Sequence, residues 1–323
     1  IIKGGKQLAG TVNISGMKNA ATPIIAATLL TREPCVLENV PRISDVERML
    51  GILKSMGATV AWRDVHTVEI CCRDVDAATL DKHAVRAMRS SVLLIGPMLA
   101  RFGTVTMPEP GGCIIGNRSL DTHLYAMQML GVQVNTSNGS YVLSTKKVVP
   151  GYVVLPEFSV TATENVLMAT ALSSGKSVLK LAAAEPHVQD LCLFLQKMGV
   201  RITGIGTHTL EIEGAEVLHG TTHRIIPDQI EAGTFAALAA ATRGKITITN
   251  IVPEHLELIL LKLQGMGVHY EVKGTSLFIK SSKTLSAFRL QVMPYPGFPS
   301  DLQAPFGVLA TQCVGTTLIH DPL

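Results

Sequence analysis

Aromatic side chains are scarce in this chain: Trp, Tyr and Phe together make up 4% of 323 residues, with a single tryptophan. Charge is scarce as well, at 16%, with a net excess of only +3. A protein that grips nucleic acid needs a concentrated basic face and, for single strands, rings on which bases can stack. The chain is short of both, so nucleic acid is not an expected partner. Long apolar runs are missing too. The longest, AATPIIAATLL at 20–30, is about half of what a bilayer span requires and contains a proline. No membrane partner is expected. The opening IIKGGKQLAG lacks the charged-then-apolar layout of a secretion signal, and without an initiator methionine residue 1 is not expected to be the first codon. The six cysteines, at 35, 71, 72, 113, 192 and 313, include no CxxC pair, and neighbouring histidines complete no zinc pattern. Free thiols in a reducing cytoplasm are expected, with no metal.

Apolar residues, by contrast, reach 47%, which marks a globular protein, and the length suits two ordinary domains. The chain also repeats itself. SMGATV, MLGVQV, KMGVRI and GMGVHY share Gly57, Gly131, Gly199 and Gly267, spaced by 74, 68 and 68 residues. Each follows a helical pattern and precedes an alternating one, where glycine lets the chain leave a helix in a left-handed turn. Three of these helices are expected to open with a capping aspartate (Asp45, Asp121, Asp190), and the fourth has Glu257 near its start. A second series of small-residue helices runs into polar breaks near 33, 103, 175, 244 and 315, at intervals of 70, 72, 69 and 71. Modules of about 70 residues that bury each other's faces follow, with the small-residue helices innermost. The fold class is α/β, built from repeats. By this count the fifth module lacks its second helix, so the 323-residue chain alone is expected to be unstable and inactive.

Chemistry gathers in a few places. Lys18 and Asn19 stand at the entrance of an apolar helix, where a cation and free amides make an anion site. Cys113 lies in PEPGGCIIGNR, preceded by two glycines, with Arg89, Arg118, Asp121 and His123 in the surrounding segments. Cations lower a thiol's pKa and favour a thiolate or a poised proton donor, and glycines let a loop close over substrate. Asp121 fits a cap as well as a ligand, and His123 fits an ordinary surface histidine. Cys35, Cys192 and Cys313 read as small buried hydrophobes, and at least one of Cys71 and Cys72 should point inward from a strand. Asp301 follows the turn PYPGFPS and suits either a cap or a general base. Glu254 and His255 lack the HExxH register and are assigned no metal.

SGMKNAATPI, NVPRISDV, MRSSVLLIGPMLARFG, PGGCIIGNRSLDTHL, EPHVQDL, IPDQIEAGTF and FPSDLQA occur in this order along the whole chain. In them the sequence resembles the UDP-N-acetylglucosamine enolpyruvyl transferases, which begin peptidoglycan precursor synthesis. The shikimate-pathway sister enzymes share the fold but lack a PGGC loop and carry serine where this chain has Asn19. The resemblance implies a two-domain inside-out α/β barrel, with residues 1–17 and 227–323 in one domain and 18–226 in the other. It implies a reaction without cofactor, in which the enolpyruvyl group of phosphoenolpyruvate passes to the 3'-hydroxyl of UDP-N-acetylglucosamine. Cys113 matches the proton donor, which also forms a covalent adduct and reacts with the epoxide fosfomycin. Lys18 and Arg118 match groups that hold phosphoenolpyruvate, with Asn19 and Arg89 in the same cleft. Arg118, Ser119, Leu120, Asp121 and Thr122, with His123, match the segment on the UDP sugar, as do Glu157, Phe158, Ser159 and Val160. Asp301 matches the carboxylate at the acceptor hydroxyl, and Leu323 a further nucleotide-sugar contact. The chain departs from the pattern at Gln229, usually arginine, at Thr161, usually glycine, and at its end, HDPL. A binding-only relative or incompetent fragment is the second reading, and a shikimate-pathway synthase the third.

Overall fold

In the computed structural model, which describes residues 4–108, 119–137 and 139–322, four glycines turn four helices into strands. Gly57, Gly131, Gly199 and Gly267 have φ of 101, 79, 118 and 88°, a conformation that costs residues with a Cβ dearly. Strand β1 (Ala9–Asn13) and helix α1 (Lys18–Ala27) precede the first copy of the module, which is β2 (Cys35–Glu38), α2 (Ser44–Ser55), β3 (Thr59–Trp62) and β4 (Val68–Cys71). Short α3 (Lys82–Arg86) and α4 (Ile95–Phe102) lead to β5 (Thr104–Pro108), α5 (Asp121–Met129), β6 (Gln133–Ser137) and β7 (Ser140–Ser144). The third copy follows β8 (Tyr152–Ser159) and α6 (Val160–Thr170). It comprises β9 (Lys176–Ala182), α7 (Pro186–Met198), β10 (Arg201–Thr203) and β11 (Thr209–Glu213). The fourth follows β12 (Thr222–Arg224) and α8 (Gln229–Ala241). It comprises β13 (Lys245–Thr249), α9 (Glu257–Gly265), β14 (His269–Lys273) and β15 (Ser276–Lys280). The chain continues through β16 (Arg289–Gln291), α10 (Gln303–Ala310) and β17 (Leu318–His320).

Every copy has one topology. Its helix leads to a hairpin whose second strand returns antiparallel beside the first, giving the orders β2-β4-β3, β5-β7-β6, β9-β11-β10 and β13-β15-β14. Three of these sheets gain a parallel outer strand, β12 on β2, β8 on β9 and β1 on β13. The chain divides into two compact units, Ile1–Met17 with Ile226–Leu323, and Lys18–Ile225.

In the Lys18–Ile225 unit, α1 is buried from Ala20 to Ala27 and α6 from Ala162 to Thr170. Ala and Thr dominate both because a helix packed on all sides has little room for long side chains. Asn165 on α6 is fully buried; its Oδ1 accepts from Gly96 N at 2.7 Å and its Nδ2 donates to Val92 O at 3.1 Å. In the other unit, Asp228 N donates to Ser15 O at 2.9 Å and Ser15 N to Glu231 Oε2 at 2.8 Å, which fixes the N-terminal segment against α8. Phe298 and Phe306 meet edge to face at 4.9 Å in its core. Here one expectation is corrected: α10 is not innermost. It buries only Phe306 and Leu309, which with Leu302 form one face at helical spacing, while Val308 stays exposed.

The helix openings also differ from expectation. Asp45, Asp121 and Glu257 lie in first turns, but none caps; Ile43, Leu120 and Leu256 occupy the cap positions without side-chain bonds. Asp190 sits inside α7, buried, with its Oδ1 2.9 Å from His223 Nε2. A carboxylate taken out of water needs a partner more than a helix end needs a cap. Side-chain caps come instead from Asp76, Asp81, Ser159 and Asp228.

Glu164 is an ionisable group buried without compensation. It is 1% exposed, and its Oε1 has no hydrogen-bond partner. Burial, and then the nearby Glu185 charge, push its carboxyl well above the usual range. A group whose pKa is raised on folding contributes stability that is fully present below its unfolded value and lost as pH rises through the folded one. Glu164→Gln, which cannot ionise, should therefore resist denaturant better at pH 8, by on the order of 1–3 kcal/mol. The advantage should shrink as pH falls towards the ordinary carboxyl value of 4.5. Urea midpoints measured across this range check it; a gap that widens on acidification would contradict the assignment.

Candidate active site

Lys18 is the first residue of α1, and its Nζ lies 3.4 Å from Asp45 Oδ2 in the first turn of α2. The lysine side chain is 44% exposed, so the pair is solvent-screened and an incoming anion competes for the ammonium at small cost. Asn19 follows on the same turn, half-buried. A cation and a helix N-terminus together suit a phosphate or carboxylate.

A second cluster joins segments distant in sequence within the same unit. Arg89 opens a 3-10 turn, Arg89–Leu94, and donates from Nη2 to Ser119 O at 3.4 Å. Thr122 Oγ1 donates to Glu157 Oε1 at 2.6 Å, and His123 Nε2 lies 2.8 Å from Thr161 Oγ1. The Phe158 ring stands edge-on to His208 at 5.0 Å. Ser159 caps α6, accepting from Ala162 N at 3.3 Å, and Val160 begins that helix. Leu120 is buried, whereas Ser119 and Asp121 are exposed. The first turn of α5 is thus clasped by two side-chain bonds, one to the end of β8 and one to the first turn of α6. His123 is no surface histidine: it is 5% exposed, and burial followed by the Arg89 charge pushes its pKa down to about 4. The ring is neutral at physiological pH. Cys113, Arg118 and Leu323 lie outside the described residues.

In the Ile1–Met17, Ile226–Leu323 unit, Asp301 lies in the 3-10 turn Ser300–Leu302, exposed and capping nothing, since the cap position is Pro299. The cap reading of Asp301 is therefore not met. Asp228, which sequence reasoning left out of the site, accepts from Ile230 N at 2.8 Å and Glu231 N at 3.2 Å. Burial raises its pKa, and Asp301 is one of the charges that adds to the rise, so the two carboxylates are neighbours. The signal was the aspartate preceding the helical run QIEAGTF. Gln229 is buried, with Oε1 lacking a partner. Among the described residues no group of three or more His, Cys, Asp or Glu stands in metal-binding proximity, and no helix is long and apolar enough to cross a membrane.

The fold is shared with solved proteins. It superposes on the enolpyruvyl transferase NikO from Streptomyces tendae with a TM-score of 0.86 at 24% identity, over 98% of this chain and 76% of that one. EPSP synthase from Acinetobacter baumannii gives a TM-score of 0.73 at 19% identity, over 99% and 75% of the two chains. The architecture is that of the enolpyruvyl transferases. The family model for EPSP synthase (3-phosphoshikimate 1-carboxyvinyltransferase) matches residues 2–321. The UDP-N-acetylglucosamine 1-carboxyvinyltransferase of Koribacter versatilis is 42% identical over 99% of this chain and 74% of its own length. That of Helicobacter pylori strain 26695 is 41% identical over 100% and 77%. The chain belongs to the UDP-N-acetylglucosamine 1-carboxyvinyltransferase family, within the wider EPSP synthase family.

Proposed function

We propose that the protein transfers the enolpyruvyl group of phosphoenolpyruvate to the 3'-hydroxyl of UDP-N-acetylglucosamine and releases phosphate, in the cytoplasm, as a step of peptidoglycan precursor synthesis. The observation that carries this is the 42% identity with a protein of that name across 99% of the chain. The site chemistry supports it. Both substrates are anionic, and Lys18 at the α1 N-terminus, with Arg118, supplies cations for the phosphoenolpyruvate phosphate and carboxylate. Asn19 and Arg89 complete that anion site.

Ser119 to His123 and Glu157 to Val160 take the nucleotide sugar, consistent with the clasp between their two segments. Leu323 adds a contact to it. Cys113 protonates the enolpyruvyl methylene, which leaves cation-like character at C2. Asp301, exposed and uncommitted to a cap, draws the proton from the attacking 3'-hydroxyl. Collapse of the tetrahedral intermediate expels phosphate while the C3 methyl returns a proton to the Cys113 thiolate, which restores the enolpyruvyl double bond and the thiol. No cofactor enters the reaction.

The test is phosphate release with both substrates present. It should require UDP-N-acetylglucosamine and should not occur with shikimate 3-phosphate in its place. Release with shikimate 3-phosphate alone would overturn the assignment, and nucleotide-sugar binding without any release would leave a binding protein.

A further inference from the structure

A neutral imidazole has one N–H and one lone pair to place. For His123 the choice is constrained, because its Nδ1 is buried without a hydrogen-bond partner while its Nε2 lies 2.8 Å from the Thr161 hydroxyl. An orphaned buried N–H is costlier and rarer than an orphaned acceptor. The proton therefore belongs on Nε2, donating to Thr161 Oγ1. Thr161 is the second residue of α6, just past the cap Ser159, and its hydroxyl makes no other hydrogen bond among the described residues. The bond spans 38 residues of sequence and runs from the first turn of α5 to the first turn of α6. Beside it, Thr122 holds Glu157, 35 residues away.

We propose that Thr161 is a positioning residue for the nucleotide sugar: its hydroxyl fixes the tautomer and ring orientation of His123 and so sets the spacing of the two segments that grip the ligand. The proposal rests on the function assigned above. The ligand class is a nucleoside diphosphate sugar, and the effect falls on its binding and not on the chemistry at the enolpyruvyl group, because Thr161 acts through His123. A methyl in place of the hydroxyl keeps the volume but leaves both ring nitrogens unpaired.

Steady-state kinetics of Thr161→Val and Thr161→Ser in the full chain test this. The valine variant should raise the KM for UDP-N-acetylglucosamine about tenfold, with kcat and the phosphoenolpyruvate KM within about twofold of the starting protein. The serine variant, which keeps the hydroxyl, should restore the KM. Nitrogen-15 spectra should show His123 protonated at Nε2 in the starting protein and the serine variant, and a mixture of tautomers in the valine variant. An unchanged nucleotide-sugar KM in Thr161→Val, a serine variant as impaired as the valine one, or protonation at Nδ1 in the starting protein would each overturn the proposal. If the starting protein itself shows no turnover or binding with UDP-N-acetylglucosamine, the assigned function fails; the clamp on His123 is still read independently from the tautomer. Should the valine variant not fold, the serine variant and the tautomer still decide.

Discussion

Cys113→Ala should lower phosphate release by about 10²–10⁴-fold, the usual worth of a general acid, while UDP-N-acetylglucosamine still binds. Cys113→Asp should keep part of the rate, because a carboxylic acid can still donate a proton. The same thiol should be the first to react with fosfomycin, and faster when the UDP sugar is present. The competing thiols are disadvantaged by their surroundings. Burial pushes Cys35 up to about 11 and Cys72 and Cys192 up to about 12, so almost none of each is thiolate at pH 8. Cys313 is raised too, again by burial. It is half-buried, not fully buried as its segment suggested, because it follows α10, whose outer face is exposed. Cys71 is the nearest rival: it is partly exposed, though its Sγ lies 3.6 Å from Arg32 O. Peptide mapping after brief labelling decides between them. Label arriving first on Cys71 would remove the basis for Cys113 as the reactive residue, and a fully active alanine variant would remove its catalytic role.

Gly96→Ala should be among the most destabilising single-methyl additions in the Lys18–Ile225 unit. A Cβ at Gly96 would stand 2.5 Å from Asn165 O and 3.1 Å from Asn165 Cα and Oδ1. Two of these are backbone atoms of a buried helix, so the strain cannot be relieved by one rotamer change. Moving α4 away from α6 would also stretch the bond from Gly96 N to Asn165 Oδ1, leaving buried polar atoms unpaired. The expected loss is about 3 kcal/mol or more, read as a lower denaturant midpoint or as insoluble expression. Gly51→Ala is the matched control. Gly51 also lies inside a helix, α2, but is exposed, and nothing stands within 4 Å of its would-be Cβ. That change should be neutral or stabilise by up to about 1 kcal/mol, as alanine does at an open helical position. Equal midpoints for the two variants would show that the α4–α6 approach is looser than the structure has it.

The repeat was legible in the residues alone because its causes are local. A glycine with positive φ, a helix before it and an alternating run after it occupy a dozen neighbouring positions, and the fourfold recurrence of Gly57, Gly131, Gly199 and Gly267 exposes the module. The small-residue composition of α1 and α6 likewise announced helices enclosed on all sides. Lys18 at a helix entrance could be read the same way. What escaped were the partners of polar side chains. Asp190 looked like a cap and is paired with His223, 33 residues on; His123 looked superficial and is buried against Thr161. Asp228 was passed over, although it stands near Asp301. Sequence spacing specifies which face of its own helix a side chain occupies, but not which segment folding brings against that face. A buried polar atom must still find a partner there, so its role is settled by a long-range contact that no local pattern records.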